Sequence, residues 1–373
     1  MNRSAVLFCL ALAMGGQSMA ADTLSYRIRE INNWAFYGSQ SPQVGIVAGN
    51  NKGIVQDFHI KCTVRDYKSI PLYELSQRGE IAPRDSSHME YTFRTMQPGV
   101  YNVEFTDKGR FVKGVNIAYE PEKIAADESV QHRGQGSFTK IADIASLERR
   151  DRNPQFTIAR NKAMSGREKN VYDFRMVSRG DESITGYVAF PKGKSNLAAM
   201  LTFVMHGEQS ANPLADFTAS SNMVELVVYL KERGEGDEYF KNLFTDIIYC
   251  MDFLEGRNEI DKTRIYTQGN RAGAACALLA SALDERVAVS FAADPQMGKF
   301  TDAFTLESLT SRISAPVLMG MALQAPVYNL NENFTIYNKV SVPKEYFVFP
   351  AMKEIDRKQW RYIRDTFLLR LGK

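Results

Sequence analysis

The segment that most restricts this chain is IYTQGNRAGAACALLASALD, residues 265–284. An apolar run fit for a buried strand meets a turn with glycine on both sides, Gly269-Asn270-Arg271-Ala272-Gly273, and an alanine-rich helical run follows. A sharp strand-to-helix turn brings backbones close and needs small residues on either side. Gly269 and Gly273 supply them, and Ala272, Ala274 and Ala275 keep the helix start slim. Two glycines at this spacing say little alone, so the surrounding sequence decides their meaning.

From about Lys169 onward, strands and helices alternate. The runs AAMLTFVMHG, MVELVVYLKE, TRIYTQG, VAVSFAAD, APVLMGMALQ and KEYFVFPAM are continuously apolar, as expected of strands covered on both faces. Before them, NVYDFRMVSR and SITGYVAFP read as a hairpin. Within EYFKNLFTDIIYCMDFLEG, the residues Phe240, Leu243, Phe244, Ile247, Ile248 and Met251 fall at helical spacing on one face. The segment DRKQWRYIRDTFLLRLG closes the chain as a helix. Residues 161–373 are therefore predicted to form an α/β domain with a mostly parallel, doubly wound sheet.

The 373-residue chain is long enough for roughly two domains. Residues 21–122 read as all-β: short β-rich runs are divided by Gly, Pro, Asn and Asp, with turns at Pro98-Gly99 and Lys108-Gly109. Such spacing without helices predicts an immunoglobulin-like sandwich. Residues 123–160 are polar, with one helical patch near Ile141–Leu147, and read as a linker with a short helix packing on the second domain. Residues 1–20 carry Arg3, an apolar run from Ala5 to Met14 and a small-residue site at Ser18-Met19-Ala20, the pattern of a cleavable signal peptide. The expected mature protein is exported, periplasmic or secreted, with no membrane span.

Loss of the leader lowers Lys+Arg from 46 to 45 against 43 Asp+Glu, so the net charge falls from +3 to +2. That balance gives no reason to expect nucleic acid or an anionic membrane as a partner. The mature cysteines, Cys62, Cys250 and Cys276, are odd in number and fit no framework. Cys250 and Cys276 lie in apolar helical runs and read as small buried hydrophobes. A Cys62 disulfide to either has no spacing to support it. No His/Cys/Asp/Glu cluster has metal-ligand spacing, and no cofactor motif is present. Asn333-Phe334-Thr335 matches a glycosylation sequon, a pattern that chance supplies often.

Hydrolases that use a strand–turn–helix elbow carry a nucleophilic serine in G-x-S-x-G, followed in the chain by an acid and then a histidine. Here Arg271 holds the serine's place. The histidines are His59, His88, His132 and His206, and all precede the turn, so that chain order cannot be completed. His206 ends a strand in FVMHGEQ and reads mainly as a brace for the loop that follows. Arg233, in the charged loop KERGEGDEY, is placed to pair with Asp246 one helix later.

These pieces resemble the acetyl xylan esterase/cephalosporin-C deacetylase family of α/β-hydrolases, preceded by the β-sandwich found before such esterases in polysaccharide-degrading bacteria. The resemblance rests on RGEGDEYFKNLFTDIIYCMDFL, IYTQGNRAGAACALLASALDERVAVSFAADP, APVLMGMALQAPV and PKEYFVFP. It implies an α/β-hydrolase fold. It also implies that the family's serine, acid and histidine fall at Arg271, Ala325 and Glu354, its oxyanion tyrosine at Glu208, and its RGQ glutamine at Glu235. The glutamine after the serine falls at Ala272, and the loop before the next helix is shortened. Gly269, Gly273, Arg233 and Asp246 are kept. Arginine stays protonated and cannot attack a carbonyl, and Ala325 can orient nothing.

The sequence thus points to an exported esterase scaffold without the Ser-Asp-His triad, a pseudoenzyme leaning away from catalysis. Its pocket candidates are Arg271, Ala272, His206, Glu208 and Glu354, acting in oligosaccharide or protein binding. An Arg271–carboxylate pair would then stand where the Ser–His pair stands. In one variant Arg271 grips an anionic ligand such as a uronate. Two alternatives stay open. One is an active carbohydrate esterase or other hydrolase using His206, Glu208, Glu235 or Asp294. The other is a partner of an active relative or of a surface polysaccharide apparatus, with the sandwich as interaction module. Oligomeric state is left open.

Overall fold

The computed structural model describes residues 24–125, 136–151, 154–179, 182–210, 212 and 222–372. The signal-peptide segment and His132 lie outside the described residues.

The N-terminal part is built from two sheets. Strands Leu24–Arg29 (β1), Gln43–Asn50 (β3) and Ser86–Thr92 (β6) form a three-stranded antiparallel sheet. The other sheet runs in the order Ala35–Phe36 (β2), Arg110–Tyr119 (β8), Gly99–Asp107 (β7), Gln56–Arg65 (β4) and Pro71–Ile81 (β5). Val44, Ile46 and Ala48 on one sheet and Phe58, Ile60, Cys62 and Val64 on the other are all buried in a common core. The Tyr91 and Phe105 rings, 5.6 Å apart, pack across it. Alternate residues point to opposite faces of a strand, so the period-2 apolar pattern selects the buried face. The sequence reading misses β5, because this edge strand is almost wholly exposed and has no alternating apolar face.

The second part is a nine-stranded sheet in the order β17-β16-β15-β14-β12-β13-β11-β10-β9. Its strands are Gln155–Asn161 (β9), Lys169–Arg179 (β10), Glu182–Pro191 (β11), Leu197–Met205 (β12), Met223–Leu230 (β13), Ile260–Asn270 (β14), Val287–Ala293 (β15), Val317–Ala322 (β16) and Lys344–Phe349 (β17). From β12 to β17 all pairings are parallel, while β9, β10 and β11 join in antiparallel fashion. The helices are Phe138–Asp151 (α1), Gly236–Glu255 (α2), Ala272–Leu283 (α3), Gly298–Ala303 (α4), Leu306–Thr310 (α5), Val327–Lys339 (α6) and Arg357–Arg370 (α7).

Segment 123–160 holds a short helix and, beyond the sequence reading, a strand. Its helix α1 packs on α2 through Phe138 and Phe244, with ring centroids 4.9 Å apart, and β9 forms the sheet edge against β10. The polar face of β9 hid this role: its residues alternate between exposed and half-buried, and its apolar side is closed by Phe156 against Phe253, 5.4 Å away. Cys62, Cys250 and Cys276 are buried and free, so Cys62 forms no disulfide with either of the others. Asn333 is fully buried on α6, so the sequon is out of reach.

The two parts are joined by side-chain hydrogen bonds. Asn116 on β8 donates from Nδ2 to the Leu323 and Ala325 carbonyls at 2.9 and 2.7 Å, and its backbone N–H donates to Gln324 Oε1 at 2.9 Å. Gln324 Nε2 donates back to the Asn116 carbonyl and to the Pro350 carbonyl, at 3.2 and 2.8 Å. Asn338 on α6 donates to the Pro121 and Ile124 carbonyls.

Candidate functional site

The turn after β14 has the backbone of a strained elbow. Arg271 sits at φ 51°, ψ −118°, a region that L-residues avoid and that costs on the order of 1–3 kcal/mol. Its N–H donates to the Ala293 carbonyl at the end of β15, and its carbonyl accepts from the N–H groups of Ala274 and Gln296. The two glycines make this turn fit. A Cβ on Gly269 would lie 2.1 Å from the Gly273 carbonyl, and a Cβ on Gly273 would lie 2.1 Å from the Phe203 carbonyl on β12. Neither position has room for a methyl group.

The elbow lifts the Arg271 side chain above the C-terminal edge of the sheet, where open α/β sheets hold their ligands. Its Nη2 donates to Glu354 Oε1 at 3.1 Å, with side chains 45% and 71% exposed. The expected Arg271–carboxylate pair is present with Glu354, but it is open to water rather than buried.

Two further carboxylates face this arginine. Asp294 follows β15 at φ 52°, is only 8% exposed, and is held through its N–H to the Gly320 carbonyl. Burial pushes its carboxyl up to about 6, against the opposing pull of the Ala322 N–H and Arg271, and Glu354 adds to the rise. Its Oδ1 is buried with no hydrogen-bond partner among the described residues. Glu208, in the loop after β12, lies against the Ala272 N–H at the start of α3. Burial raises its carboxyl as well, opposed by Arg271 and by that N–H. Backbone N–H groups at a helix start attract anions, and here the chain supplies its own.

Arg271, Ala272, Glu208, Glu354 and Asp294 thus come together. His206 stands apart: its ring is exposed and meets Gln209 Nε2 at 3.1 Å, a brace within its own loop. Glu235 is exposed at the start of α2 and caps nothing with its side chain. Arg233 and Asp246 form a buried ion pair that ties this loop to α2. Ala325 is buried after β16, and its carbonyl is taken by Asn116 of the sandwich. No sequence signal joins Asn116 to residue 325, since they are 209 positions apart. Among the described residues, no group of His, Cys, Asp or Glu could hold a metal ion.

A parallel sheet flanked by helices, with a glycine-framed elbow after a central strand, defines an α/β-hydrolase-type fold. The acetyl xylan esterase family model matches residues 230–310, which span the α2 helix, the elbow and β15. Two solved acetyl xylan esterases share the fold. That from Paenibacillus sp. R4 is 17% identical with a TM-score of 0.57, covering 67% of this chain and 98% of its own. Acetyl xylan esterase 1 from Thermoanaerobacterium sp. JW/SL YS485 is 17% identical with a TM-score of 0.54, covering 67% and 100%. Comparison with curated protein sequences found no match. The α/β part of this protein is acetyl-xylan-esterase-like. No helix among the described residues is long and apolar enough to cross a membrane.

Proposed function

We propose that this protein is an exported pseudoenzyme, an acetyl-xylan-esterase-like scaffold that binds carbohydrate at the elbow and has no Ser-Asp-His triad. One observation carries the reading: the elbow position is Arg271, ion-paired to Glu354 at 3.1 Å. A guanidinium cannot act as nucleophile, and a carboxylate in the base position is already engaged by it. Ala325 offers no acid, and its loop serves to dock the immunoglobulin-like sandwich through Asn116. Export rests on the leader-like residues 1–20.

The test is hydrolysis of an aryl acetate and of acetylated xylo-oligosaccharides by purified protein, beside calorimetric binding of the same oligosaccharides. Binding with background hydrolysis is expected. A second reading has one observation in its favour: a buried carboxyl titrating near 6, Asp294, is tuned for general acid–base work. Hydrolysis well above background that D294N or H206A abolishes would establish that reading and end the first.

A further inference from the structure

Strand β5, Pro71–Ile81, closes one side of the five-stranded sheet and pairs with β4 alone in it. That pairing runs unshifted from Gln56 opposite Ile81 to Val64 opposite Tyr73, so the strand is straight and its free side is a regular row of backbone N–H and C=O groups. Every residue of β5 except Ile81 is exposed or half-buried. Edge strands are usually kept apart by shortness, Lys, Pro or a bulge. β5 is 11 residues long, and from Leu72 to Ile81 it has no Lys, no Pro and no bulge. Leu72 and Leu75 stand 47% and 38% exposed along it. Its charges are of both signs and lie on one face with Ser76: Glu74 meets Lys61 at 2.7 Å, and Arg78 has no side-chain partner among the described residues.

We propose that β5 pairs antiparallel with β5 of a second copy of this chain, about a two-fold axis at Ser76, joining two sandwiches into one continuous sheet. The proposal is independent of what the elbow binds. Ser76 is the midpoint of Pro71–Ile81, so this register alone uses the whole strand. It sets Glu74 opposite the partner's Arg78, and by symmetry Arg78 opposite the partner's Glu74. Opposite charges across a strand pair stabilise it and like charges weaken it. Neighbouring registers lose this match. An axis at Leu75 places Glu74 against serine and Arg78 against Leu72, and an axis at Gln77 places Glu74 against Glu80. With the axis at Ser76 the two Leu75 side chains become diagonal neighbours on the inner face, where each covers apolar surface that the single chain leaves to water.

The experiment is sedimentation velocity of the purified protein up to about 100 µM, a range suited to the small interface of one strand pair. A dimer is expected. E74R and R78E each set like charges face to face and should weaken association about tenfold or more, while the double variant E74R/R78E restores opposite pairs and should return to within about threefold of wild type. All three changes fall on exposed positions. The register has its own readout. S76C places two thiols across the axis, about 5 Å apart at Cβ, and a short thiol cross-linker should capture it as a covalent dimer. E80C places them roughly 27 Å apart and should not be captured. The native cysteines are buried, so wild type is the blank. A monomer at 100 µM overturns the proposal. So does a dimer that E74R and R78E leave intact or that E80C captures as readily as S76C, since the copies then meet elsewhere. Failure of E74R/R78E to recover what the single changes lose overturns the charge-matched register.

Discussion

The Arg271 guanidinium and the Glu354 carboxylate meet at 3.1 Å above the sheet edge, linking the elbow after β14 to the loop after β17. Both side chains remain open to water, and exposed ion pairs contribute ~0–1 kcal/mol. A double-mutant cycle of R271A and E354Q, read by urea unfolding, should therefore give a coupling energy below about 1 kcal/mol. A coupling of several kcal/mol would mean that the pair is structural. The expected small value leaves both residues available to a ligand.

Gly273 admits no side chain, since a Cβ there would lie 2.1 Å from the Phe203 carbonyl, a backbone atom that cannot swing away. G273A should cost about 3 kcal/mol or more, or prevent soluble expression. R271S, which keeps the elbow backbone, should fold normally and still fail to hydrolyse aryl acetates, because Ala325 and Glu354 supply neither acid nor histidine. A folded, stable G273A protein in a thermal melt would refute the close-approach account.

Asp294 sets a pH dependence of defined sign. Its carboxyl is raised from 3.8 to about 6 in the folded protein. Between those values the folded state keeps a proton that the unfolded chain has lost, so stability falls as pH rises through this window. The full effect is ~3 kcal/mol at most, from about 1.4 kcal/mol per pH unit. D294N should accordingly exceed wild type in stability at pH 7, and the gap should close toward pH 4. Unfolding curves at both pH values decide it, and a gap that widens toward pH 4 would contradict the assigned burial.

Asn116 holds the two parts of the molecule together through the Leu323 and Ala325 carbonyls. N116A leaves both acceptors without this donor, at a cost of about 2 kcal/mol. Hydrogen exchange should quicken at residues 323–325 and around Pro350, which Gln324 also ties down. Unchanged exchange there would show that the contact is incidental.

Asn333 is fully buried on α6, and neither its Oδ1 nor its Nδ2 has a partner among the described residues. Leucine is close in shape and carries no polar atom. N333L should raise stability by about 1 kcal/mol or more. A clear loss in the thermal midpoint would reveal a partner for this amide.

Much of the fold was legible because it follows from local pattern. Continuous apolar runs marked the parallel strands, and helical spacing marked α2. The unread parts were those with weak patterns: β5, exposed along nearly its whole length, and β9, whose one apolar side is set among polar residues. In the site, Arg271 and Glu354 could be named from the resemblance. Their exposure could not, because the depth of a side chain depends on which loops close over it.

The elbow is written in a few adjacent residues. Gly269 and Gly273 are needed wherever a strand turns sharply into a helix, and an arginine between them rules out a serine nucleophile without reference to any other residue. Tertiary structure alone decided what surrounds that arginine. Asp294, Glu208 and Glu354 stand on three different strand ends, and Asn116 reaches the Ala325 loop from another sheet. Charge balance at a point in space sums over residues that the fold brings together, and residues distant in the chain carry no local signal of that meeting.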